Sequence, residues 1–133
     1  MTQYLVDTSV LIDASKGQTW AWKGLRDLVL RGDRLAVCAI SVGEFYAGAP
    51  SGKHPKMDKF IASMDYWDIP RDVAVAAGQL RYEAARRGAI LHLPDAFMAA
   101  AAMAQGATVL TENVKDFIAL DAPVLSLRPK SPQ

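Results

Sequence analysis

Short apolar runs recur along the chain, and none of them alternates with polar residues. Gln3-Tyr-Leu-Val6, Arg34-Leu-Ala-Val-Cys-Ala39, Ala107-Thr-Val-Leu110 and Pro123-Val-Leu-Ser126 are brief and mostly apolar throughout, the pattern of parallel strands covered on both faces. A fifth, weaker run, Tyr66-Trp-Asp-Ile69, is closed by Pro70. Between the runs, helices are predicted at about 10–15, 20–31, 41–49, 56–64, 71–87 and 95–105. In the fifth of these, Val73, Ala76, Ala77, Leu80 and Ala84 share one face at three- and four-residue spacing. Gly32, Gly88 and Gly106 follow three of the segments, where a left-handed residue ends a helix. The alternation predicts an α/β fold: a three-layer α/β/α sandwich around a central, mostly parallel sheet of four to five strands.

Composition narrows the picture without redirecting it. The 133 residues, 51% hydrophobic and 22% charged, fit one globular domain, placed at 1–127 with a short C-terminal tail at 128–133. The longest apolar run, Ala96 to Ala104, falls far short of the ~20 residues that span a bilayer. The N-terminus lacks a basic region followed by an apolar core. The expectation is therefore a cytoplasmic protein with no membrane partner. A single cysteine, Cys38, excludes a disulfide framework and reads as core filler. The net charge of +1 neither demands nor forbids a nucleic-acid partner.

Ligands of open parallel sheets bind beyond the carboxyl ends of the strands. That is where this chain places its acids. Asp7 follows the first run, Ser41-Val-Gly-Glu44 the second, and Thr111-Glu-Asn-Val-Lys-Asp116 the fourth strand in the chain, while Asp95 opens the helix before it. Each acid has a plain alternative role. Asp7 can cap a helix, Ser41 and Glu44 match a capping box, and Asp95 and Asp116 in first turns favour the helix dipole. Capping does not explain why all four gather on one rim. Clustered carboxylates repel and raise one another's pKa unless a cation joins them. Mg²⁺ or Mn²⁺, with oxygen ligands and retained waters, suits such a cluster; His54 and His92 do not suggest zinc. A site of this kind serves phosphodiester hydrolysis, with Asp7, Glu44 and Asp95 holding metal and Asn113 or Asp116 completing the rim.

The segments DTSVLID (7–13), ISVGEFYAGA (40–49), LPDAFMAAAAMAQGATVLTENVKDF (93–117) and APVLSL (122–127) together resemble the PIN-domain nucleases, in particular VapC-type toxins. The resemblance covers nearly the whole chain, with its motifs in order. It implies a PIN-like sandwich and a Mg²⁺- or Mn²⁺-dependent endoribonuclease. It also implies inhibition by a small VapB-type antitoxin and assembly as a homodimer. By matching position, Asp7, Glu44, Asp95 and Asp116 become the catalytic, metal-binding acids. Thr8, Ser9, Thr111 and Asn113 become their polar supports.

Arg81, Arg86, Arg87 and Lys115 are candidate contacts to an RNA backbone, with a solvated helix end as the plainer reading of Arg86 and Arg87. Trp20 and Trp22, two residues apart, cannot both face the core of one helix, and exposed aromatics of this kind mark protein interfaces. Two other enzyme classes fit less well. An aspartyl-phosphate phosphatase has Asp-x-Asp where this chain has Asp7-Thr-Ser9, and a receiver domain has paired acids and a late lysine. A non-catalytic interaction module that keeps the fold without the metal is the remaining alternative.

Overall fold

The computed structural model describes residues 1–50 and 52–129. Five strands, β1 (Gln3–Val6), β2 (Arg34–Cys38), β3 (Asp65–Trp67), β4 (Thr108–Leu110) and β5 (Val124–Leu125), form one sheet in the order β3-β2-β1-β4-β5. Every pairing is parallel. Seven helices surround the sheet among the described residues: α1 (Thr8–Ser15), α2 (Thr19–Leu30), α3 (Ala39–Gly48), α4 (Pro55–Ser63), α5 (Arg71–Arg86), α6 (Leu93–Ala104) and α7 (Val114–Ala119).

The two-residue period of a strand sorts the core into two faces. Tyr4, Val6, Leu35, Val37 and Leu110 point into a cluster with Val10, Leu11, Leu25, Phe45 and Ile61 of α1–α4. Leu5, Ala36, Cys38 and Val109 point the other way, onto Ala77, Ala84, Ala96, Ala99 and Phe117 of α5–α7. Neighbouring residues of one strand are thus all buried, which is why the runs do not alternate. The alanine row of α6 lets α5 pack closely on it, and Ala96, Ala99 and Ala102 have no exposed surface.

The structure shifts several predicted boundaries. The second strand stops at Cys38, and α3 begins two residues earlier than predicted, at Ala39. The Cys38 N–H donates to Ser41 Oγ (3.4 Å), which in turn donates to the Cys38 carbonyl (3.3 Å). Ser41 therefore serves the cap three residues ahead of it, and Ser41–Glu44 is not a capping box. α6 likewise begins at Leu93, so Asp95 is its third residue. The six-residue α7 is absent from the predicted helices because a segment that short shows no helical period. Gly32, Gly88 and Gly106 do adopt left-handed φ of 93°, 91° and 63°.

Because β1 lies between β2 and β4, the residues that follow these strands emerge side by side. The chain builds β2 and β3 on one side of β1 and β4 and β5 on the other, so the crevice opens where β1 meets β4. Phe45, fully buried beside Tyr46 with ring centroids 5.2 Å apart, anchors the helix that carries Glu44. Phe45→Ala is expected to cost about 3–5 kcal/mol of stability, read as a lower urea midpoint at an unchanged slope.

Candidate active site

Asp7 sits at the start of α1 in extended backbone (φ −77°, ψ 156°), yet its carboxylate makes no capping hydrogen bond. The capping alternative therefore does not hold for it. Its side chain turns toward β4, where Thr111 Oγ1 donates to Oδ2 at 2.8 Å and Ser9 Oγ donates to the same oxygen at 3.0 Å. Asp7 is only 5% exposed and Thr111 fully buried. Hydrogen bonds of this kind, with an ionised acceptor, offset the cost of burying a carboxylate.

The other polar residues repeat the arrangement. Thr8 Oγ1 donates to Glu44 Oε1 at 2.9 Å, tying α1 to α3. Asn113 Nδ2 donates to Asp116 Oδ2 at 2.9 Å across the first turn of α7. Each of Thr8, Ser9, Thr111 and Asn113 thus holds one of the acids. Backbone N–H groups then fix the hydroxyls: Asn113 N donates to Thr111 Oγ1 (2.9 Å) and Glu112 N to Ser9 Oγ (3.1 Å).

Asp95 is the exception. Half-buried in the first turn of α6, its carboxyl is pushed up to about 6, first by burial and then by the charges of Asp7, Asp116 and Glu44, with His92 opposing. The same influences bring all four acids into one electrostatic neighbourhood around Asp95. Among the described residues, no three His, Cys, Asp or Glu side chains stand grouped so as to hold a metal ion. The donors nevertheless fit a hard divalent cation. They are oxygens only, Asp95 is raised first by burial and then by the charge of its neighbours, and Mg²⁺ ordinarily takes one or two carboxylates and keeps several waters.

The cationic candidates separate. Arg81 Nε donates to the Leu91 carbonyl at 2.7 Å, and Arg87 donates to the Ala119 carbonyl at 3.0 Å and pairs with Asp121 at 3.5 Å. Both arginines brace α5 against its neighbours. Arg86 lies over the Tyr82 ring at 5.9 Å, and Lys115 is exposed on α7.

Sequence reasoning passed over Glu112. Its backbone belongs to the Asp7 network, while its carboxylate accepts from Ser126 Oγ (2.7 Å), Leu127 N (2.9 Å) and Arg128 N (3.3 Å). Leu127 in turn fills a notch at Gly24 of α2, where an added Cβ would meet Leu127 Cδ2 at 2.8 Å. The one available sequence signal was an acid between Thr111 and Asn113, in the segment that follows a strand.

The PIN domain family model matches residues 4–122, from the first strand to the end of α7 and just beyond. The chain belongs to the PIN domain family. Among sequence relatives, the ribonuclease VapC2 of Rickettsia felis is 25% identical over 119 residues, covering 86% of this chain and 89% of that one. The tRNA(fMet)-specific endonuclease VapC of Salmonella typhimurium is 26% identical over 123 residues, covering 88% and 91%. Among solved structures, VapBC2 of Rickettsia felis bound to a promoter DNA fragment superposes with a TM-score of 0.80 at 23% identity, over 94% of this chain and 98% of that one. A toxin–antitoxin complex from Klebsiella pneumoniae gives 0.77 at 26% identity, over 94% and 98%. The fold is thus shared with both solved structures.

The raised Asp95 has a consequence for stability. A folded-state pKa near 6, above the ordinary 3.8, means that the metal-free folded chain holds this proton more tightly than the unfolded chain does. Its stabilising effect is therefore complete below about pH 4 and is lost as pH rises through about 6. Asp95→Asn, permanently neutral, is expected to melt higher than the wild type in EDTA at pH 7.5, with the gap closing toward pH 4. Thermal melts across that range check this.

Proposed function

We propose that the chain is a Mg²⁺- or Mn²⁺-dependent endoribonuclease that acts as the toxin of a toxin–antitoxin pair. The observation that supports this most is the hydrogen-bonded rim in which Asp7, Glu44 and Asp116 each have a dedicated donor, with Asp95 feeling the charge of all three. Membership of the PIN family and the ribonuclease names of its relatives supply the chemistry that such a cluster would serve.

In this reading Asp7, Glu44, Asp95 and Asp116 hold the cation between them, directly or through water. When bound, the ion would supply an oriented, more acidic water and neutralise charge on the attacked phosphate. The chain's own part is positional. Thr111 and Ser9 fix the direction of Asp7, Thr8 fixes Glu44, and Asn113 fixes Asp116, so the carboxylates need little reorganisation when substrate arrives. Asp95 is shifted by burial and neighbouring charge alone, with no hydrogen-bond donor contributing. A bound cation would offset that repulsion.

The partner reading extends to a VapB-type antitoxin. Trp22, Leu25, Val29, Leu30 and Phe60 line a groove of about 600 Å³ between α2 and α4, with Lys23, Arg26 and Lys56 on its margin. Its apolar floor and basic edge suit an amphipathic segment with acidic residues. Trp20 and Trp22, both half-buried against the α1–α4 core, belong to that side of the molecule. Assembly as a homodimer is part of the same proposal, with exposed Tyr82, Ile90 and Leu93 as apolar surface. No helix among the described residues is long and apolar enough to cross a membrane.

Purified protein incubated with RNA and Mg²⁺ should cleave it, and EDTA should stop the reaction. Asp7→Asn is expected to lower the rate by roughly two orders of magnitude or more, whereas cleavage that survives the substitution would expose a contaminant. Mg²⁺ at tenfold its dissociation constant should add about 1.4 kcal/mol of stability, more at neutral than at acid pH because the ligands must be ionised. A melting temperature indifferent to millimolar Mg²⁺ would sink the metal site.

A further inference from the structure

An RNA strand approaching this rim meets a cluster of acids, so a cation must stand nearby to hold the backbone. Arg81 and Arg87 are engaged in bracing α5. A different arginine lies beside the site. Arg128 shares a depression of about 390 Å³ with Ser9, Ile12, Asp13, Glu112 and Asn113. Two of these residues are supports of the acids: Ser9 donates to Asp7 and Asn113 to Asp116. The depression therefore lies beside the residues that hold Asp7 and Asp116.

Arg128 is not held there by chance. Its N–H reaches Glu112 Oε1 at 3.3 Å and Ser126 Oγ at 3.2 Å. Glu112 also takes the Leu127 N–H at 2.9 Å, so the acid between Thr111 and Asn113 clamps the segment after β5 to the site loop. The guanidinium lies over the Trp20 ring, 5.4 Å from its centroid, and among the described residues it has no carboxylate partner. An arginine with an ordered backbone, a supported stem and unspent donors is prepared for an anion.

We propose that this depression is a nucleotide subsite beside the scissile position, and that Arg128 contacts a backbone phosphate of the RNA one step along from the one attacked. The proposal rests on the ribonuclease reading for its substrate but not on the metal. Arg128 acts on binding, so its loss appears in KM and in salt dependence rather than in kcat.

The test is binding of a fluorescently labelled single-stranded RNA to the full chain in EDTA, titrated with salt, for wild type, Arg128→Ala, Arg128→Lys and Lys59→Ala. Each phosphate contact to a single strand contributes about 0.7 to the slope of log K against log salt. Arg128→Ala is expected to flatten the slope by about that amount and to raise KM several-fold with kcat retained. Arg128→Lys should keep the slope, and Lys59→Ala, on α4, should keep both. Wild-type slope and affinity in Arg128→Ala would overturn the subsite. So would an equal flattening in Lys59→Ala, or a wild type that binds no RNA. A wild type that binds through Arg128 yet cuts nothing with Mg²⁺ would leave the subsite standing and remove the ribonuclease reading.

Discussion

The rim of this protein hangs on one oxygen. Asp7 Oδ2 receives two hydroxyls, from Ser9 on its own helix and from Thr111 at the end of β4. It therefore joins the two strands between which the sheet's crevice opens. A carboxylate at 5% exposure is expensive to bury alone, and these two donors make the position tolerable. They also fix its direction. Thr111 is itself held by the Asn113 N–H and Ser9 by that of Glu112, so the loop after β4 takes its shape from the same oxygen. Remove that acceptor and both hydroxyls lose a shared target.

The four acids divide into tethered and untethered. Asp7, Glu44 and Asp116 each have a donor that orients the carboxylate. Asp95 has only burial and repulsion, and its pKa rises accordingly. The close packing of α6 on α5 through small alanines keeps Asp95 in that uncomfortable position. Local electrostatic conflict is thereby held in a rigid frame, and a divalent cation would relieve it.

Much of the fold could be read from the chain because the relevant signals are local. Apolar runs such as Leu35-Ala-Val37 mark buried strands, and Gly32, Gly88 and Gly106 mark helix ends through their backbone freedom. The acids drew notice because each follows a strand or opens a helix. What stayed hidden depends on distance in the sequence. Thr8 and Glu44 are 36 residues apart, and Ser9 and Glu112 are 103 apart; no periodicity links such pairs. Ser41 and Glu44 show the opposite failure, a good local motif displaced when α3 began at Ala39 and Cys38 became the cap residue. Arg128 was read as part of a tail at 128–133 because Arg-Pro-Lys-Ser-Pro resembles coil. Positions 130–133 lie outside the described residues, but Arg128 is fixed by a carboxylate that the sequence places 16 residues earlier.

Gly24 shows how far the frame extends. A glycine in the middle of a twelve-residue helix costs about 1 kcal/mol relative to alanine, so a simple methyl would ordinarily be an improvement. Here the isopropyl end of Leu127 occupies that space, and Leu127 is the residue whose N–H Glu112 holds. Positions 24 and 127 are therefore coupled: a methyl added at 24 requires the flexible end of Leu127 to turn aside. Neither touches one of the four rim acids, yet their contact lies one hydrogen bond from the loop that carries Glu112 and Thr111.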